Sequence, residues 1–184
     1  MKKIRFEKYW EKELINTAKY IIKLYNSKVN NRKAFILEKK IMLCLLHIRQ
    51  YKDFYFDKKR KYPQTIELAR YPIRDKKADE DDFGRRYILF GGEKEEICLK
   101  DLCNYFIHVN IKKDFVPAYD RLYGMFFTSD KLKNEKLYYI NLMVFAEILL
   151  SLVKNEEIGI EVEFGEGGKI KKIDFNNKWQ KKFA

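Results

Sequence analysis

Glycine and proline are scarce in this 184-residue chain, with 8 and 3 copies, so few segments have the composition of a long irregular linker. Cysteine occurs only at positions 44, 98 and 103, and none of the three has a partner at metal-ligand spacing. That pattern argues against a zinc site and fits buried thiols in a reducing compartment. No run approaches the ~18 apolar residues of a membrane span, and MKKIRFEKYW lacks the apolar core of a signal peptide. A soluble cytoplasmic protein without a membrane partner is the expectation. The phosphate-cradling patterns GxGxxG and GxxxxGKS/T are missing, as is the GxSxG nucleophile elbow, and no cofactor is implied. Histidine occurs twice, at 47 and 108, which leaves few candidates for proton transfer at neutral pH.

What is abundant is positive charge and aromatic rings. The net charge is +12, and aromatic residues make up 16 % of the chain. Residues 1–61 hold 18 Lys/Arg and 6 Asp/Glu, a net of +12, so the remaining residues are neutral in sum. Such a field favours a polyanion or an acidic partner surface. Hydrophobic residues at 46 % and the chain length suit one packed domain over residues 1–184.

Four parts are expected along it. In residues 1–57, Phe6, Tyr9, Trp10, Leu14, Ala18, Ile21 and Tyr25 keep a helical period over 5–27, and Ala34, Leu37, Ile41, Cys44, Leu45, Ile48 and Tyr51 keep another over 31–56. Two such helices joined by a short polar turn predict an antiparallel helical hairpin. In residues 58–92, QTIELAR and RRYILFGG read as short strands around the charged loop RDKKADEDDFG, whose Asp79–Asp82 half matches a calcium loop in composition only. Gly91-Gly92 then reads as a plain strand-to-helix turn. In residues 93–155, a central helix over 96–110 is followed by the connector IKKDFVPAYD. A β-hairpin, LYGMFFTSD with KLYYINL, and an apolar helix over 141–154 come next. In residues 156–184, GIEVEFGEGGKIKKIDF reads as a second hairpin, with Lys169, Lys171 and Lys172 across from Glu161 and Glu163, before the tail NNKWQKKFA. The predicted class is α+β, mainly helical: a helical hairpin and two further core helices with small added β-hairpins.

Chemistry concentrates in EICLKDLCNYFIHVN. Asp101, Asn104 and His108 are three and then four residues apart and share one helix side, apart from the apolar Leu99, Leu102, Cys103 and Phe106. An imidazole one and two turns beyond an amide and a carboxylate suits proton transfer, or simply meets the negative end of the helix dipole. The run Lys58-Lys59-Arg60-Lys61 either caps a helix C-terminus in the same way or contacts phosphate, and Arg85 and Arg86 add a second basic pair. His47, in LCLLHIRQY beside Arg49, reads as a half-buried structural residue. Ser129 and Asp130 read as turn formers.

The stretch LKDLCNYFIHVN, set behind a helical hairpin, resembles the HEPN-like proteins of prokaryotes, as does a short strand pair with SD-type turn residues before a final apolar helix. The resemblance covers roughly residues 1–155 and implies an all-helical core with a polar residue, an Arg and a His on the penultimate helix. It also implies metal-independent ribonuclease activity at a homodimer interface, in a defence or toxin system. His108 matches that pattern, with Asn104, Asp101 and Lys100 around it. The Arg does not match, since Asp101, Leu102 and Cys103 precede the histidine and Lys100 is the nearest upstream base. Lysine lacks the planar fork of arginine. RNA association, as nuclease or as degenerate binder, is one expectation. The other is a small non-enzymatic inhibitor or adaptor, encoded by a mobile element, that occupies a nucleic-acid-binding protein complex.

Overall fold

The protein's structure, a computed structural model, describes residues 7–25, 27–51, 65–79, 82–115, 122–155, 158–164 and 170–177. Two helices come first, α1 (Glu7–Tyr25) and α2 (Asn31–Gln50). Both form where the apolar residues keep a period near 3.6. The start of α2 is set by Asn30, whose Oδ1 accepts from the Lys33 N–H at 3.0 Å. The two helices pack on each other, as a hairpin requires.

After them run β1 (Thr65–Pro72), a single turn α3 (Phe83–Arg86), β2 (Glu93–Cys98), α4 (Leu99–Ile107), β3 (Val109–Phe115), β4 (Gly124–Ser129), β5 (Lys136–Asn141) and α5 (Leu142–Lys154). The hairpin β4–β5 and the apolar helix stand where expected. Asn141 starts α5 by accepting from the Met143 N–H at 2.8 Å, and Asn155 ends it with a left-handed φ of 55°.

Three expectations change. The strand ahead of the central helix is not RRYILFGG but the charged EKEEIC, and the helix begins only at Leu99. The segment RRYILFGG instead holds one turn of helix and a single bridge, Ile73 to Tyr87. The connector after Asn110 is the strand β3, paired antiparallel with β4. The hairpins are therefore not small additions. Five strands join in one antiparallel sheet of order β2-β1-β5-β4-β3. The α+β class holds, with the sheet larger than predicted.

Alternation across this sheet assigns its two faces. Ile66, Leu68, Ile97, Met125, Phe127, Tyr138 and Ile140 belong to the main core with the helices. Leu137 and Phe126 point the other way and are covered by Phe83, Tyr87, Tyr71, Ile73 and Leu89. Tyr87 and Leu89 of RRYILFGG thus cover the sheet's second face, which explains their character without a strand, while Ile88 and Phe90 stay exposed at 44 % and 92 %. Helix α5 lies against α1, and α4 lies between α2 and β4.

The second hairpin forms as expected from β6 (Ile158–Phe164) and β7 (Ile170–Asn177), a separate two-stranded sheet. Its register sets Glu163 opposite Lys172, as predicted, but Glu161 opposite Asp174. The turn with Lys169, the run 58–61, and the tail with Trp179 and Phe183 lie outside the described residues.

At Gly124, where β4 meets β5, a Cβ would stand 2.4 Å from the Tyr139 ring and 2.5 Å from the Ile140 carbonyl oxygen. The second contact is backbone and cannot swing aside. Gly124→Ala is expected to cost about 1–3 kcal/mol, read as a lower midpoint in thermal or urea unfolding. An unchanged midpoint would contradict this close approach.

Candidate functional site

A recess of about 560 Å³ opens where three elements meet. From α4 come Asp101, Asn104 and Tyr105, with His108 at its C-terminal cap. From the end of α2 comes Arg49, from the last position of β4 comes Ser129, and from the turn after it come Asp130 and Lys131. The helical spacing that puts Asp101, Asn104 and His108 on one side is thus realised, and that side faces a cavity.

Local bonds fix the geometry. The His108 N–H donates to the Asn104 carbonyl at 3.1 Å, which closes the helix. The Asp130 N–H donates to the His108 carbonyl at 3.2 Å, which ties the turn to the helix end. The Ser129 carbonyl accepts from the N–H groups of Leu132 and Lys133, both at 2.9 Å, and so shapes the turn. Behind the recess, Tyr105 stacks on Tyr138 with ring centroids 5.7 Å apart. Burial raises the Tyr105 hydroxyl pKa, helped by the charges of Asp101 and Glu95.

The side chains of Arg49 and Lys131 are exposed and make no ion pair or hydrogen bond among the described residues. Both charges are available to a ligand. The Ser129 hydroxyl is buried and has no hydrogen-bond partner among the described residues, although a hydroxyl both donates and accepts. His108 is exposed. Two free cations, an imidazole and the carboxylates of Asp101 and Asp130 make a mixed site. It suits an anionic ligand that also needs a proton moved.

The other predicted residues are not brought here. Lys100 is exposed on α4 but does not line the recess. Arg85 is exposed, pairs with Asp82 at 3.8 Å, and borders a different polar recess with Arg74, Lys77 and Asp79. Arg86 is buried at 3 % exposure, with Nη1 on the Ala78 carbonyl at 2.6 Å and Nη2 on Asn134 Oδ1 at 2.9 Å. Its guanidinium holds the 75–79 turn to the β4–β5 turn and is not a surface phosphate contact. Arg49, Tyr105, Ser129, Asp130 and Lys131 were not singled out as a site from sequence. Only the SD pair at the end of a strand hinted at the turn's part in it.

Thiol and metal chemistry find little support. Burial pushes the Cys44 thiol up to about 11 and the Cys103 thiol up to about 12, so both stay protonated at neutral pH and are poor nucleophiles. Among the described residues no group of three or more His, Cys, Asp or Glu is placed to hold a metal ion. Among them, too, no helix is long and apolar enough to cross a membrane.

A polar cluster backs the site. Glu95 accepts from Lys136 Nζ at 2.7 Å and from the Tyr138 hydroxyl at 2.8 Å, with Arg70 Nη1 at 3.5 Å. Burial works to raise its pKa, but the Lys136 and Tyr138 hydrogen bonds and the two cations outweigh that and hold it below the usual range.

No family model, curated protein or solved structure matches this chain.

His47 is more buried than its sequence suggests, at 3 % exposure, stacked on Trp10 at 4.4 Å and 13°. Burial lowers its pKa to about 4. A histidine held neutral in the fold but titrating near 6.5 when unfolded lends stability above about pH 6.5. That stability is lost as pH falls toward 4, where the folded form also takes the proton. Urea titrations between pH 7 and 5 should show a decline of up to about 1.4 kcal/mol per pH unit, and His47→Phe should flatten it. The same slope in that variant would assign it elsewhere.

Proposed function

We propose that this protein associates with RNA, and that the recess between α2, α4 and the β4–β5 turn receives a backbone phosphodiester for metal-independent cleavage. One observation carries the reading: Arg49, 59 residues before His108 in sequence, stands on the wall of the same recess. The HEPN-like resemblance asks for an arginine beside its histidine, and α4 has none. A guanidinium supplied by α2 would serve the same end, since its planar fork matches two phosphate oxygens.

Lys131 adds a second charge for the phosphate oxygens. Strand cleavage within RNA needs one group to take the 2′-hydroxyl proton as that oxygen attacks phosphorus. It needs another to protonate the departing 5′-oxygen. His108 and a carboxylate from Asp101 or Asp130 are the groups of those kinds on the wall. Helix α2 holds five Lys/Arg against one Glu, an excess that favours approach of a polyanion to the molecule, with Arg49 the one of the five at the recess.

Both key side chains are exposed, so their removal should leave the fold intact. With single-stranded RNA in EDTA, His108→Ala should lower the cleavage rate by about 100-fold or more with unchanged thermal midpoint. Arg49→Ala should weaken RNA binding and reduce the slope of log affinity against log salt by about 1. Wild-type cleavage that survives in His108→Ala would end the catalytic reading, and the lack of any salt-dependent RNA binding would end the whole of it.

A further inference from the structure

A second surface runs along the outer side of the helical pair and meets the recess only at its far end, where Arg49 follows Leu46 by three residues. Apart from Asn31 at its start and Arg49 and Gln50 at its end, the exposed α2 residues fall at 32, 35, 39, 43 and 46, a spacing of three and four that forms one stripe along the helix. The stripe mixes cations with large apolar groups: Phe35 is 64 % exposed, Leu43 45 % and Leu46 44 %. Next to Leu43 α1 presents the partly exposed Trp10, and Tyr9, one residue earlier, is 69 % exposed.

Between the two helices runs a groove of about 420 Å³. Its apolar lining includes Trp10, Ile36 and Leu43, with the Cys44 thiol and Thr17 hydroxyl bonded to each other at 3.3 Å. Two cations and one carboxylate, Glu13, border it. Lys40 lies 3.9 Å from Glu13, whereas Lys39 is exposed and makes no ion pair among the described residues. The two helices together carry nine Lys/Arg against four Glu.

From these features we infer that the α1–α2 groove docks an acidic amphipathic helix of a partner protein. An apolar channel between two helices accepts the apolar face of a third, presented at i, i+3, i+4 and i+7. The cations on its border oppose a basic partner and attract one with Asp or Glu beside its apolar stripe. A second copy of this chain would bring the same excess of positive charge to the same face. Single-stranded nucleic acid would use Phe35 and Tyr9 as stacking platforms but would leave the aliphatic Leu43 and Leu46 unmatched.

The test is selection of displayed 16-residue peptides of randomised helical sequence on the purified full chain. Enriched peptides should carry apolar residues at helical spacing with Asp or Glu between them. Synthetic copies should bind at least tenfold more weakly to Leu43→Asp, and more weakly to Lys39→Glu, while both variants keep the wild-type thermal midpoint. Lys39→Glu lies on the exposed surface and keeps the test open if Leu43→Asp fails to fold. Failure to enrich any peptide, enrichment of basic peptides, or equal binding to both variants would overturn the inference. So would a wild-type dimer in sedimentation that Leu43→Asp dissolves, or binding of an oligouridylate that depends on Leu43. His108→Ala should leave peptide binding unchanged, so this result and that of the RNA assay can be read separately.

Discussion

Four aromatic rings decide how the central helix sits. Phe106 lies on Phe127 with centroids 4.4 Å apart, Phe127 on Tyr138 at 5.7 Å, and Tyr138 on Tyr105 at 5.7 Å. Tyr105 and Phe106 are neighbours on α4, about 100° apart around its axis. Anchoring both against β4 and β5 removes the helix's freedom to rotate. The direction of Asp101, Asn104 and His108 follows, since their angular positions are set once those of Tyr105 and Phe106 are. The recess is therefore a by-product of core packing as much as of its own residues.

Burying Tyr138 has a second effect. A phenol hydroxyl taken from water needs a partner, and Glu95 on the edge strand β2 accepts from it. A carboxylate in that place needs cations in turn, which Lys136 and Arg70 provide. This chain of requirements explains why β2 reads EKEEIC. The strand has little apolar character because one of its carboxylates serves the core's hydroxyl and the others face solvent at the sheet's edge. Charge along an edge strand also discourages pairing with another chain.

These requirements mark what could be read from the sequence. Helices α1, α2 and α5 and the β4–β5 hairpin rest on local periodicity and turn residues, and they appear where the pattern puts them. Strand β2 could not be recognised by alternation, because its glutamates answer to Tyr138, Lys136 and Arg70 at distant positions. RRYILFGG misled for the opposite reason: Tyr87 and Leu89 are apolar because they cover the second face of the sheet, not because they belong to it. For the site, the stripe of Asp101, Asn104 and His108 was legible from spacing alone. Arg49 was not, since only the packing of α2 on α4 brings it near His108.

Helix α2 shows how one segment can serve these parts at different points along its length. Its inward residues Leu37, Ile41, Cys44, Leu45 and Ile48 are buried in the core. Its outward stripe keeps Phe35, Leu43 and Leu46 exposed, an arrangement that core packing does not require. Its last turn sends Arg49 to the recess while His47, two residues earlier and about 200° away around the axis, stacks on Trp10. A residue on one side can change without moving the others, because the core stripe fixes the helix and the remaining positions are free of that duty. The excess of positive charge on this helix therefore costs the fold little. Arg32, Lys39 and Arg49 all lie on exposed positions, where their burial energy is small and their field reaches solvent.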